Sequence, residues 1–437
     1  MPDRRVVITG LGVVCPAGVG LEPFWAALRQ GRSAVKTITL FDASAFPSSI
    51  GGQLDDFSAR AFVPKDYRKA VKVMARDIEI AVAAADLAVR DSGLVTRGID
   101  PDKPAVNSRR LGCNIGAGLI CSDLDELGAA VSTAVTDGAF DLKAWGSSGM
   151  NNLTPLWLLK YLPNMLACHV TIIHEAEGPS NTITCGDASG HLSVGEAWRQ
   201  IARGDADAAI AGGAESKLNP MGLLRQSLLG RLVATGNDAP AGACRPFDAG
   251  HAGTVVGEGG ALLVLEEWEH AHARGARIYA ELAGFGAACD PAAIDVRRPT
   301  AGGLDLALRR AMREAGIGGE EPGLIVAHGT GVPGEDDLEA RAYEAALGAD
   351  LDRIPATAVT GSTGSLFAGA GGMELAVAAL ALHHQLLPPA VNWAAPADGC
   401  RLNLSTQARA GPFSYAVSGA FSTGGQSGAC VLRRYQP

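Results

Sequence analysis

"ITCGDASGHLSVGEAWRQIARGD", residues 183–205, passes from a β-branched run through a turn of small residues into a helical pattern that closes at Gly204. "TAVTGSTGSLFAGAGGMELAVAALALHHQ", residues 357–385, repeats that order. A strand, a small-residue turn and an Ala-rich helix occurring twice predict a duplicated βαβ unit. The halves should meet near "GGALLVLEEWEHAHARGARIYAELAGFG" at 259–286, which divides the chain into 1–268 and 269–437. Other short apolar runs closed by glycine, such as "VVITGLG", "DAAIAGGAE" and "LIVAHGTG", read as buried strands, and "DIEIAVAAADLAVRDSG" reads as a helix between them. That alternation is the signature of an α/β protein.

Composition narrows the function. Against 46 Asp+Glu stand 37 Lys+Arg, a balance of −9 with no cationic run of the kind that tracks a phosphate backbone, so no nucleic-acid partner is expected. The 9 cysteines are scattered without a CxxC pair and are odd in number, which suggests neither a zinc site nor a disulfide framework. No metal or other cofactor is expected, and reduced thiols fit a cytoplasmic protein. The opening "MPDRRVVITGLGVV" lacks a signal-peptide pattern, and no run is long and apolar enough for a membrane span. The segment "WGSSGMNNLTPLWLLKYLPNMLACHV", 145–170, is apolar enough to require cover by a pocket's ligand or by another subunit.

These features, with "RRVVITGLGVVCPAG" (4–18), "GDADAAIAGGAES" (204–216), "CRPFDAGHAGTVVGEGGALLVLEEWEHAHARGARIYAEL" (244–282), "AHGTGVPGEDDLEARAYEAALG" (327–348), "LLPPAVN" (386–392) and "SYAVSGAFSTGGQSGACVL" (414–432), identify a resemblance that covers essentially the whole chain. The sequence resembles the β-ketoacyl-acyl carrier protein synthases. The resemblance implies a duplicated thiolase fold of five layers, αβαβα, a dimeric assembly, and decarboxylative Claisen condensation on acyl thioesters. It also implies a catalytic set of one Cys at an elbow before a helix, two His and a Lys.

Only one member of that set has a counterpart here. Aligned without gaps on Gly178–Ser180 and Ser189–Gly190, Asp187 stands at the nucleophile position and Cys185 lies two residues earlier. His328 in "AHGTG" matches the first histidine, with Asp336 and Glu339 behind it. The second motif reads "TGSTGS", which puts Thr360 at the lysine and Ser365 at the second histidine. In the closing loop "FSTGGQSG", Thr423 replaces a gate phenylalanine. Asp187 and His328 are therefore the candidate catalytic pair of an altered site, and Thr360, Ser365, Phe421, Thr423, Met150 and Trp157 are candidate acyl-binding residues.

A carboxylate is a far weaker nucleophile toward a thioester than a thiolate, and a helix N-terminus should keep it ionised. Asp187 is then expected to cap the helix or to point into the pocket mouth, with Cys185 buried inside the strand as a small apolar residue. The altered set is similar to the chain-length-factor subunits that pair with an active synthase in type II polyketide and aryl-polyene pathways, which also lack the Cys but usually carry Gln there. Three functions follow: such a partner subunit, an enzyme using Asp187 and His328 on acyl thioesters, or a homodimeric acyl-binding protein. Acyl carrier protein and acyl thioesters are the expected partners in each.

Overall fold

The structure, a computed structural model, describes residues 4–291, 302–317 and 323–436. Ten strands carry the architecture: β1 (Val6–Cys15), β2 (Leu111–Gly116), β3 (Ser180–Ile183), β4 (Ala208–Ser216), β5 (Glu258–Glu267), β6 (Ala280–Cys289), β7 (Leu324–Ala327), β8 (Ala356–Ala358), β9 (Tyr415–Phe421) and β10 (Gln426–Arg434). They lie in the order β8-β7-β9-β10-β6-β1-β5-β4-β2-β3, with a short strand, Gly18–Val19, attached to β1.

The pairing directions expose the duplication. From the outer edge inward, β3, β2 and β4 are parallel, and β4–β5 and β5–β1 are antiparallel. Coming from the other edge, β8, β7 and β9 are parallel, and β9–β10 and β10–β6 are antiparallel. The series meet where β1 touches β6 at Val7↔Glu281 and Ile8↔Ala280.

Five helices complete the layers: α1 (Arg76–Ser92), α2 (Met165–His174), α3 (Ser189–Ala202), α4 (Pro220–Leu228) and α5 (Gly302–Ala315). Two more follow, α6 (Pro333–Leu347) and α7 (Ala370–His384). α1 covers β1, β5 and β4 on one outside, and α5 covers β6, β10 and β9 on the other. Between the halves of the sheet run α3 and α7, α7 touching β4 and β5 on one side and β9 and β10 on the other. That position explains why "AGAGGMELAVAALAL" is apolar all round: a helix covered on every side has no polar face to keep. The central helices cross on glycine, where a Cβ on Gly190 would lie 2.7 Å from the Gly372 nitrogen and 2.9 Å from the Gly371 Cα. This is the duplicated, five-layered thiolase fold.

Candidate functional site

Each central helix is launched from an elbow. In the first, β3 ends at Ile183, Gly186 adopts φ 55°, and the 3₁₀ turn Gly186–Ala188 feeds α3. In the second, Phe367 adopts φ 50° at the head of the 3₁₀ turn Phe367–Gly369, which feeds α7. Left-handed backbone suits Gly186 and strains Phe367, whose ring lies beneath the Arg231 guanidinium at 5.8 Å.

The first elbow is closed by Ser189, not by Asp187. The Cys185 amide donates to Ser189 Oγ at 2.8 Å, and that hydroxyl donates to the Gly186 carbonyl at 2.6 Å. The Asp187 carboxylate makes no cap and turns instead to Arg231, whose Nη2 donates to Oδ2 at 3.1 Å. Cys185 corrects the expectation of a thiol buried inside the strand: β3 stops two residues before it, and the side chain is half-buried in the turn. A tight Gly-led turn needs those residues outside the ladder. Burial, and then the nearby Cys289, raise the Cys185 thiol above its ordinary pKa, so it is not an activated thiolate.

Behind Asp187 lies a chain of buried charges. Arg231 Nη2 also donates to Glu335 Oε2 at 2.8 Å, and its Nη1 donates to Gln226 Oε1 at 3.2 Å. His328 Nε2 stands 3.9 Å from Asp187 Oδ2, while its Nδ1 meets Glu374 Oε1 at 2.7 Å. Burial favours neutral groups, yet here it is outweighed. Arg231 first and His328 next hold the Asp187 carboxyl at about 2 against the desolvation that opposes them. Desolvation likewise works against a charged His328, but Glu374 and Asp187 together raise it well above the usual imidazole value. Both shifts favour the charged forms, an aspartate at 187 and an imidazolium at 328, held as a mutually stabilising pair. His191, by contrast, is pushed down to about 4 by burial and shares its Nε2 with Ser418 Oγ at 3.0 Å.

The remaining motif positions hold backbone. Asp336 and Glu339, three residues apart on α6, face back onto the loop that carries His328. Glu339 accepts the His328 and Gly329 amides at 2.7 and 2.9 Å, and Asp336 accepts the Gly331 amide at 3.0 Å and the Phe247 amide at 2.8 Å. Thr360 Oγ1 donates to the His328 carbonyl at 2.8 Å. Ser365 is buried, and among the described residues its Oγ finds no hydrogen-bond partner.

A cleft of ≈ 470 Å³ opens onto the first elbow, lined by Asp187, Glu215, Lys217, Arg231, Phe367 and Thr423, among others. Of the candidates read from sequence, Asp187 and Thr423 line it. Thr360, Ser365 and His328 are buried and do not line it, and Phe421 belongs to the core beneath α5. Met150 is 53% exposed at the surface, and Trp157 packs against Tyr161, their ring centroids 5.2 Å apart. The 145–170 segment reaches the cleft through Pro163 instead. Sequence reasoning missed Arg231, Glu335, Glu374, Glu215 and Lys217. The available signal was a solitary charge within an apolar run, clearest for Glu374 in "GGMELAVAALAL".

Residues 3–271 match the family described as beta-ketoacyl synthase, N-terminal domain, and residues 279–394 match its C-terminal domain. The chain is 35% identical over 435 residues to 3-oxoacyl-[acyl-carrier-protein] synthase 2 of Coxiella burnetii (strain RSA 493 / Nine Mile phase I), covering 99% of each. It superposes on the ishigamide ketosynthase/chain length factor with a TM-score of 0.84 at 28% identity, covering 99% of this chain and 100% of that one. It also superposes on a type II polyketide synthase ketosynthase, bound to the hexaketide and in complex with its acyl-carrier protein, with a TM-score of 0.81 at 26% identity and coverage of 99% and 100%.

Proposed function

This chain belongs to the β-ketoacyl synthase family, and we propose that it serves there as a subunit that does not condense acyl groups on its own and partners an active synthase, in the manner of a chain-length factor. One observation carries the reading. The elbow presents a carboxylate paired with Arg231, where a condensing enzyme needs a thiolate, and the adjacent histidine is tied between Glu374 and that same carboxylate. Of the two enolate donors such chemistry uses, Ser365 replaces one, and the other lies behind the Asp187–Arg231 pair. The alternative, an Asp187/His328 enzyme, would need the Asp187 carboxylate as proton acceptor and the His328 imidazolium as donor, and both are already engaged, Asp187 by Arg231 and His328 by Glu374.

Partnership is supported by surface. Leu156, Leu158 and Leu159 are 71%, 58% and 41% exposed, Met150 is 53% exposed, and Leu228 on α4 is 79% exposed. Strand β3 forms one end of the sheet with Ser180 and Asn181 exposed. An open sheet edge and uncovered leucines each call for cover, which a second subunit would supply. Lys65, Arg68, Lys69 and Lys72 are exposed along one short segment and give an acidic chain a cationic surface for docking acyl carrier protein. The same reading divides the chain at 268/269, places it in the cytoplasm, and assigns it no cofactor.

Intact-mass spectrometry after incubation with acyl or malonyl carrier protein tests the proposal. Wild type should stay unmodified, while Asp187→Cys should load slowly and release no 3-ketoacyl product. Losing one oxyanion donor costs about 10² to 10³ in rate, so product should require Asp187→Cys/Thr360→Lys/Ser365→His. Condensation by the wild-type protein alone would refute the reading. Copurification with a second, Cys-containing synthase is the matching positive result.

A further inference from the structure

Another cavity, of ≈ 640 Å³, is walled by α3, β6 and α5. Ile183 at the end of β3 lines it, the neighbouring Thr184 lines the elbow cleft, and the two cavities share no residue. The floor is apolar. The Phe285 ring of β6 is buried against α3, where a Cβ on Gly195 would fall 2.1 Å from the ring's Cε2, so glycine at 195 is what lets the ring lie there. Leu192 on α3 and Ile183 extend that surface, and the volume falls within the range of ligand sites, about 300 to 1,000 Å³.

The rim carries unanswered positive charge. Arg199, Arg310 and Arg313 line the cavity and are exposed, and among the described residues none of the three has a carboxylate partner. Arg199 stacks on Phe285 with its guanidinium 5.3 Å from the ring centroid, and Arg310 Nη1 donates to the Ala287 carbonyl at 2.6 Å. Two of the three cations are thereby held in place. Arg313 stands three residues beyond Arg310 on α5 and so shares its face. The carboxylates in the wall have donors of their own: Glu314 accepts the Phe285 amide at 3.3 Å, and Glu196 accepts Gln200 Nε2 at 3.2 Å with Arg203 at 4.0 Å. A phosphate monoester answers that surplus better than a carboxylate, because its second charge and third oxygen give more than one guanidinium fork a partner.

We propose that this cavity binds a small phosphate monoester with an apolar body, the phosphate held by Arg310 and Arg313 with Arg199 and the body lying on Phe285. The inference is independent of what the first elbow does, since no residue of one cavity serves the other. Titration calorimetry on the purified full chain, in the assembly it forms, tests it with 1-naphthyl phosphate against two fragments of that probe, inorganic phosphate and 1-naphthol.

The ester should bind at least tenfold more tightly than either fragment, because only the ester fills both rim and floor. Arg310→Gln/Arg313→Gln should weaken it at least tenfold, whereas Arg29→Gln/Arg32→Gln, at two exposed arginines outside the cavity, should leave it unchanged. No saturable binding of the ester, a fragment binding as tightly as the ester, or equal losses in the two double variants overturns the inference. So does release of monomer by Arg310→Gln/Arg313→Gln when wild type binds no ester, which would assign the arginines to a partner's carboxylates. None of these results touches the non-condensing reading, which acylation and product decide.

Discussion

Replacing Arg231 with methionine should be among the most destabilising single changes in this chain. The guanidinium is 8% exposed and donates to two carboxylates, Asp187 at 3.1 Å and Glu335 at 2.8 Å. Removing it leaves both without their main donor, and breaking a buried pair from one side costs about 3 to 5 kcal/mol. The proton linkage of Asp187 gives an independent scale. Its pKa falls from 3.8 to about 2, a net effect of Arg231 and His328 over desolvation that converts at about 1.4 kcal/mol per unit to about 2.5 kcal/mol. In the Arg231→Met background, Asp187→Ala should recover about 1 to 3 kcal/mol, because it deletes one stranded charge. The assay is urea unfolding of wild type, both single variants and the double at one fixed protomer concentration, since association feeds into apparent stability. An Arg231→Met cost under about 1 kcal/mol, or strict additivity of the two substitutions, would show that the pair does not anchor the elbow.

Stability should fall as pH rises from about 4 to 8. Burial, reinforced by Glu215, raises Asp77 to about 7, and burial raises Glu339 to about 8 against the pull of His328. Such groups stabilise while protonated and lose that contribution as pH climbs through the folded pKa. Raised His328 acts in the same sense. Asp187 acts oppositely: its contribution is complete above about 4 and is lost as pH drops toward 2. Unfolding midpoints from pH 3 to 9 should therefore peak in mild acid, and Asp77→Asn should flatten the slope between pH 4 and 7. An unchanged slope removes Asp77 from the explanation. Sedimentation at low concentration should find no monomer in wild type, and Leu156→Glu with Leu228→Glu should release one; a stable wild-type monomer would refute the subunit reading.

Repetition and periodicity made the fold legible. The two strand-turn-helix passages became the two central helices, and the apolar composition of Ala370–Leu382 already implied cover on every side. The sequence directed attention to Asp187 by its fixed offset from Ser189 and Gly190, and the structure places that residue at the first elbow and in the wall of the cleft. What one strand of text could not convey was who answers that carboxylate. Arg231 lies 44 positions away and Glu374 lies 46 from His328, on elements brought together only by folding. Met150 and Trp157 were chosen on hydrophobicity, which does not distinguish a pocket wall from an uncovered surface; Met150 proved to be the latter.

On the proposed reading, positions 187 and 360 are coupled through His328, which lies 3.9 Å from Asp187 and whose carbonyl accepts from Thr360. Glu374 at 2.7 Å, and after it Asp187 at 3.9 Å, raise the His328 imidazole well above its usual pKa and favour the imidazolium. Once the imidazole is an imidazolium, a lysine at 360 would add a further buried cation to a site already holding Arg231. Thr360 instead donates to the His328 carbonyl and fixes its loop. On the reading proposed above, a thiol at 187 would supply a nucleophile but would leave the donors at 360 and 365 missing and Glu374 still bound to His328. That is why restoring Cys at 187 should permit loading, while condensation needs all three positions to change together.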